Sequence, residues 1–199
     1  MRNHTVHMTI LDIDLDVFVS PAVHCRNDTD PRPSDTDFTV DHESSVSTFL
    51  VQQCLVKRDV PGVAFEHHVE VLDKISEAIQ KQQLVPPFYW VHVDAHDDFW
   101  GHYSKPPNSG NYLYHCIKRN WIEKLVMVFP IGGFSFPDYV LSPDSKIEFE
   151  QHSVPVTFSD VESYQAIRPP DFVVLARSPA FTPPKADTLF NSIREHFKS

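Results

Sequence analysis

The chain has 199 residues, a length typical of one compact domain, and we expect a single domain over 1–199. Its 17 Lys and Arg residues against 27 Asp and Glu residues give a net charge of −10, which disfavours nucleic acid or a membrane surface as the partner and favours a cationic substrate. The five glycines form neither GxGxxG nor GxxxxGK[ST], so Rossmann and Walker phosphate loops are excluded.

The first half of the chain alternates apolar runs with polar segments. Residues 8–14 predict a buried strand that ends in aspartates. A segment rich in Asp, Pro and Ser over 27–45 predicts a long loop, either a substrate rim or lid or a plain surface loop. A helix is predicted within 46–60, followed by a turn at Pro61-Gly62, and Val71, Ile75 and Ile79 then repeat at helical spacing.

The second half repeats this alternation. The apolar run at 88–93 is typical of a strand covered on both faces, and those at 125–129 and 172–176 are similar. Helices are predicted over 112–124 and from Thr182 to about residue 197. Strands separated by helices predict an α/β protein, a three-layer α-β-α sandwich with a mostly parallel sheet.

Three cysteines without a CxxC pair indicate reduced thiols rather than a disulfide framework or a thiolate zinc site. The polar start of the chain and the lack of any apolar run near ~18 residues predict neither a signal peptide nor a membrane span. We therefore expect a soluble, cytoplasmic protein.

Acidic residues follow two of the predicted strands. They alternate along the chain as Asp12, Asp14 and Asp16 after the first strand, and as Asp94, His96 and Asp98 after the strand at 88–93. Alternating side chains of an extended segment share one face, and the carboxyl ends of neighbouring parallel strands meet at the edge where ligands bind. Carboxylates this close repel one another unless a cation compensates them.

Carboxylate and imidazole groups without thiolates favour a hard or borderline divalent ion such as Mn²⁺, and the two clusters together suit a pair of ions roughly 3.5–4 Å apart. The alternative is that the aspartates form a solvated strand end and that His96 is a core histidine. A further imidazole is expected from His67 or His68, since adjacent side chains do not easily face the same way.

Four of these segments together carry a resemblance to a known family. HVDAHDD at 92–98 resembles the DAHxD signature of the ureohydrolases, the arginase and agmatinase superfamily, and Asp12-Ile13-Asp14 resembles their DxD. EHHVEVL at 66–72 lies where that superfamily has its first metal histidine. With ARSP at 176–179, the set most closely resembles the atypical peptide arginases, which convert arginine side chains of ribosomally made peptides to ornithine.

The resemblance implies a compact arginase-like fold with a permuted motif order, because in ordinary arginases the DxD strand follows the DAHxD strand. It implies a binuclear-manganese hydrolase that releases urea from arginine in a precursor peptide, with Asp98 also hydrogen-bonding the bridging hydroxide. It selects His68 over His67, although His67 stays possible. The implied manganese ligands are Asp12, Asp14, His68, Asp94, His96 and Asp98.

Two roles in this chemistry stay open. The leaving amine needs a proton, for which His102 and His115 are candidates, and the guanidinium needs a carboxylate, for which Asp16, Glu66 and Asp97 are eligible. Ser109-Gly110-Asn111 only loosely resembles the superfamily segment that holds the carboxylate of a free amino acid. Weaker binding of that carboxylate would suit an arginine inside a peptide, which has no such group. A small guanidine or an acylated amine as substrate, and a non-catalytic metal-binding scaffold, are the alternative hypotheses.

Overall fold

The computed structural model describes residues 7–24, 26–99, 106–130 and 152–198. Its strands are β1 (Thr9–Asp14), β2 (Val19–Ser20), β3 (Thr39–Val40), β4 (Val60–Phe65), β5 (Phe88–Val93), β6 (Ile122–Phe129), β7 (Val156–Asp160), β8 (Phe172–Ala176) and β9 (Phe197–Lys198). Its α-helices are α1 (Glu43–Thr48), α2 (Val71–Gln80), α3 (Tyr112–Lys118) and, last in the chain, α4 (Asp187–Arg194).

Seven strands form one sheet in the order β7-β6-β5-β1-β8-β4-β9. All neighbouring pairs of this sheet are parallel, and β2 pairs with β3 as a separate antiparallel ribbon. Strand β1 therefore lies at the centre, between β5 and β8, which is why its residues are buried on both faces.

Helices cover both faces of the sheet. Helices α2 and α3 pack on one face against Ile10, Trp90 and Val174. Helix α1, a π-helical turn at Phe49–Gln53 and α4 pack on the other face against Leu11 and its neighbours. This arrangement confirms the three-layer α-β-α sandwich. In the described ranges, no helix is long and apolar enough to cross a membrane.

Several predicted boundaries differ from the structure. The predicted turn at Pro61-Gly62 is wrong, because both residues lie inside β4. A side chain at Gly62 would place its first carbon 2.6 Å from the Phe197 ring and 2.7 Å from the Val173 carbonyl oxygen. The glycine therefore permits close packing within the sheet rather than a change of chain direction.

The loop predicted over 27–45 is only partly irregular, since it includes β3 and the start of α1. We call residues 21–38, apart from 25, the strap. Arg32 of the strap donates to both carboxylate oxygens of Asp187, at 2.8 and 2.9 Å. Asp28 accepts a hydrogen bond from the Ser109 hydroxyl at 2.9 Å. These contacts attach the strap to segments that follow β5 and β8, at the carboxyl edge of the sheet.

Candidate metal centre

Five aspartates and three histidines converge at the carboxyl end of the central strands. Seven of these side chains are buried, and the eighth, His96, is 23% exposed. The group comprises Asp12, Asp14, Asp16, His68, His92, Asp94, His96 and Asp98. Five carboxylates placed this close and out of contact with water require compensating positive charge.

Strand register explains why the two acidic segments meet. Asp12 lies opposite His92, and Ile13 lies opposite Val93, so the chains leave β1 and β5 side by side at Asp14 and Asp94. The acidic ends of the two strands therefore share one edge, as the sequence predicts.

The residues after β5 do not form the extended array expected from their alternation. The strand ends at Val93, and the Asp94 carboxylate accepts the His96 backbone N–H at 2.7 Å, which curls the following loop. Asp98 has φ 48°, a left-handed conformation that aspartate tolerates better than most residues. The predicted residues thus converge through a tight turn rather than along a strand.

One half of the centre is built around His68. Its Nδ1 atom lies 3.0 Å from Asp14 Oδ2, 3.2 Å from Asp94 Oδ2 and 3.3 Å from Asp98 Oδ2. Within the described part of the chain, neither His68 Nδ1 nor Asp94 Oδ2 has a hydrogen-bond partner. Buried polar atoms are rarely left without a partner, so these two atoms mark a position where a cation could bind.

The other half is built around His96. Its Nδ1 atom lies 2.9 Å from Asp16 Oδ2 and 3.4 Å from Asp94 Oδ1. Its Nε2 atom donates to the Val23 carbonyl of the strap at 2.8 Å, so its Nδ1 atom faces the carboxylates. Asp94 therefore presents one oxygen to each half, as a carboxylate that bridges two ions would.

The structure distinguishes the two adjacent histidines. His68 is buried in the centre, whereas His67 precedes the short helical turn at His68–Glu70 and caps it. The Glu70 side chain accepts the His67 backbone N–H at 2.9 Å, which completes a reciprocal capping arrangement.

The loop after β8 supports the centre from another side. The Ser178 hydroxyl donates to Asp14 Oδ2 at 2.5 Å, and Ser178 is buried with φ 48°. Its carbonyl oxygen accepts hydrogen bonds from Phe181 and Thr182, which hold this unfavourable conformation. Strained residues of this kind concentrate at functional sites, and Ser178 lies in the ARSP segment of the resemblance.

Burial and mutual repulsion dominate the electrostatics. Burial, with added repulsion from Asp14 and Asp94, raises the pKa of Asp16 to about 7. Burial and the charge of Asp94 also raise the pKa of Asp98 well above its usual range. Burial opposes a charge on His96, but the neighbouring carboxylates outweigh it and raise its pKa to about 12. Protons thus supply positive charge where no cation is bound.

Metal binding should therefore release protons. A metal ion at the His96 half must displace the Nδ1 proton of His96 and, below pH 7, the proton of Asp16. We expect Mn²⁺ affinity to rise by at least ~10-fold per pH unit between pH 6 and 7, because at least one proton leaves per ion. Calorimetric titration in two buffers of different ionisation enthalpy measures the protons released, and a pH-independent affinity would contradict this electrostatic picture.

Other predicted site residues have different surroundings. Asp16 lies inside the centre and accepts the Ala95 N–H at 3.2 Å. Glu66 forms an ion pair with Arg177. Half-buried Asp97 accepts the Phe99 N–H at 3.2 Å. His115, on α3, packs against Tyr114 and belongs to none of the converging groups in the described ranges. His102 lies outside the described residues.

Two residues at this site, one in the centre and one in contact with it, are absent from the sequence prediction. His92 is fully buried on β5, and its Nδ1 atom lies 3.0 Å from the Tyr112 hydroxyl oxygen. Extending the alternation of Asp94, His96 and Asp98 one step back would have found His92. No local signal marks Tyr112, because α3 brings it to the centre from a separate segment.

Comparison with known proteins found no matching family model, no curated relative and no similar solved structure. The class of site therefore follows from the geometry alone. The buried Asp and His groups of this centre could hold a metal ion.

Proposed function

We propose that the protein is a binuclear-manganese hydrolase that converts arginine side chains in a ribosomally made precursor peptide to ornithine, with release of urea. The observation that carries the proposal is the sharing of Asp94 between two half-sites, each with one histidine Nδ1 atom facing carboxylate oxygens. The resemblance of the sequence motifs to those of peptide arginases supplies the reaction.

The donor set fits two divalent ions. Asp14, His68, Asp94 and Asp98 would hold one ion, and Asp16, Asp94 and His96 would hold the other. Carboxylate oxygens and imidazole nitrogens, without thiolates, suit Mn²⁺. When bound, such a pair lowers the pKa of a water molecule, so that hydroxide is available at neutral pH.

The proposed reaction is a hydrolysis in which one C–N bond is replaced by a C–O bond. The hydroxide oxygen bonds to the guanidinium carbon, the bond from that carbon to the side-chain nitrogen breaks, and this nitrogen takes up a proton as the ornithine amine. The proton comes from the attacking hydroxide, and Asp98 would accept a hydrogen bond from that hydroxide and so hold its hydrogen on the path to the amine. The products are urea and peptidyl ornithine.

The strap supports a peptide substrate. The Ser109 hydroxyl, in the segment that resembles the carboxylate clamp of free-arginine enzymes, already donates to Asp28. The carboxylate of a free amino acid would therefore meet a negative side chain at this position. An arginine within a peptide has no such carboxylate, and the net charge of −10 favours its cationic side chain.

The proposal predicts urea release from arginine-containing peptides after reconstitution with Mn²⁺. Urea and peptide mass are measured together. Free arginine and agmatine are tested separately as alternative substrates, and Asp94→Asn serves as the inactive control. Urea with the mass change of arginine-to-ornithine conversion supports the full proposal, and urea from small guanidines alone would replace the peptide as substrate. No urea from any guanidine, with Mn²⁺ still bound, would contradict a urea-releasing hydrolase and favour the acylated-amine or scaffold alternative.

A further inference from the structure

We infer that Asp12 is a positioning residue for His68 rather than a metal ligand: its carboxylate holds the proton of the imidazole on Nε2 and so directs the Nδ1 lone pair at the metal position. This inference rests on the proposed metal centre but not on the proposed substrate. It departs from the ligand set that the sequence resemblance implies, in which Asp12 binds manganese directly.

Both oxygens of the Asp12 carboxylate are occupied by donors of the protein. Oδ1 lies 2.8 Å from His68 Nε2. Oδ2 accepts the indole N–H of Trp90 at 2.9 Å and the hydroxyl of Tyr112 at 2.5 Å. Asp12 and its partners His68, Trp90 and Tyr112 are all fully buried, so these hydrogen bonds do not exchange with water.

The position of Asp12 in β1 agrees with this role. Asp12 lies opposite His92 on β5 and opposite Val174 on β8, inside the sheet, whereas Asp14 lies at the strand end opposite Ala176. A rise of about 3.3 Å per residue puts Asp12 about 6.6 Å deeper than Asp14 along the strand. Asp12 is therefore one side-chain layer below the residues that surround His68 Nδ1.

The geometry of the imidazole ring connects the two layers. His68 Nδ1 faces Asp14, Asp94 and Asp98, while Nε2, on the opposite side of the ring, faces Asp12. A neutral imidazole carries a single N–H, and a carboxylate acceptor at Nε2 keeps that hydrogen there. Carboxylates behind metal-binding histidines fix ring orientation and raise ligand basicity in this way.

Trp90 and Tyr112 complete the arrangement. Their two hydrogen bonds hold Asp12 Oδ2 on the side away from the metal position, so the carboxylate cannot rotate to bind an ion without breaking both bonds and leaving the buried Trp90 N–H unpaired. Asp12 is thus fixed by the core on one side and fixes His68 on the other.

Asp12→Asn tests the inference without a substrate. The amide oxygen is expected to face the donors of Trp90 and Tyr112, which leaves the NH₂ group against His68 Nε2 and drives the imidazole proton to Nδ1. We expect the affinity for one Mn²⁺ equivalent to weaken by ~10–100-fold, the size typical of losing a partner behind a metal ligand. The number of Mn²⁺ ions bound at saturation should not change. The matched variant Asp14→Asn, which alters a ligand itself, should lose at least one equivalent.

A spectroscopic measurement reports the tautomer directly. In ¹⁵N-histidine NMR of the Zn²⁺-loaded protein, His68 should carry its hydrogen on Nε2 in the wild type, and Asp12→Asn should lose or weaken that signal. Tyr112→Phe removes one hydrogen bond to Asp12 and leaves the contact between Asp12 and His68 in place. It should therefore weaken Mn²⁺ binding relative to the wild type, but by less than Asp12→Asn does. This milder variant keeps the test decisive if Asp12→Asn does not fold.

Three outcomes would overturn the inference. A folded Asp12→Asn protein that lacks a whole Mn²⁺ equivalent would make Asp12 a ligand. Wild-type affinity and an unchanged His68 tautomer in that variant would leave Asp12 without a positioning role. If the wild-type protein binds no Mn²⁺, the metal centre itself is refuted together with this inference. Inactivity on peptides with normal Mn²⁺ binding would refute only the proposed substrate.

Discussion

Replacing Asp94 by asparagine is expected to abolish the proposed urea release and to remove at least one of the two proposed Mn²⁺ ions. Asp94 is the residue whose two oxygens face both histidines, at 3.2 Å from His68 Nδ1 and 3.4 Å from His96 Nδ1. The substitution keeps the size of the side chain but removes its charge and replaces one oxygen by an amide donor. Losing the hydroxide source removes the main contribution to the rate, so we expect a fall of more than ~10³-fold in kcat/KM.

The matched control is Asp73→Asn, which removes a carboxylate from the exposed first turn of α2. It changes the net charge equally and should leave metal content and rate near the wild-type values. Metal content measured after desalting, together with the rate of urea release, separates the two variants. Full Mn²⁺ occupancy of Asp94→Asn would contradict the bridging role of Asp94.

Removing the metal is expected to lower the thermal stability as well as the activity. At a free Mn²⁺ concentration about 100-fold above Kd, binding stabilises the folded state by ~2.7 kcal/mol. For a domain of this length, a loss of that size lowers Tm by roughly 5–11 °C. Differential scanning calorimetry with and without EDTA measures the shift, and Asp94→Asn should show a much smaller one. Equal Tm values for the wild type in both conditions would contradict metal binding at this centre.

The difference in Tm between the metal-bound and the metal-free protein should widen as the pH rises. The pKa of Asp16 is raised to about 7 in the folded metal-free protein, above its usual value of 3.8, so its contribution to stability is largest below about pH 4 and is lost as the pH rises towards 7. The raised pKa of His96 acts in the same direction, since its contribution is complete below about pH 6.5 and declines above that value. The metal-free protein should therefore be less stable at pH 8 than at pH 6.

Local patterns predict most of the fold. The apolar runs at 88–93 and 172–176 match β5 and β8, because strands covered on both faces need apolar residues at nearly every position. The π-helical turn at Phe49–Gln53 and the place of Gly62 inside β4 could not be predicted in this way. Both depend on packing against distant residues, such as Phe197 beside Gly62, and no local pattern records such neighbours.

The candidate site is predictable to the extent that its residues lie in two short segments. Alternation and strand order bring Asp14, Asp16, Asp94 and His96 to one edge of the sheet. The contacts behind that edge could not be inferred, since Tyr112 reaches Asp12 across 100 positions of sequence. The distinction between a ligand and the residue that orients it depends on side-chain depth, which alternation alone does not reveal.

The place of β1 in the sheet has a consequence for how the protein folds. Thr9 pairs with Tyr89, and Ile10 pairs with Phe172. The central strand therefore cannot form its pairs until strands much later in the chain have been synthesised. Such high contact order makes folding slow and leaves little native structure in a partly made chain. The proposed metal centre needs Asp14 and also Ser178, which is synthesised 164 residues later. Metal loading is therefore expected to be a late event, and the nascent acidic segments should bind Mn²⁺ only weakly before the sheet closes around β1.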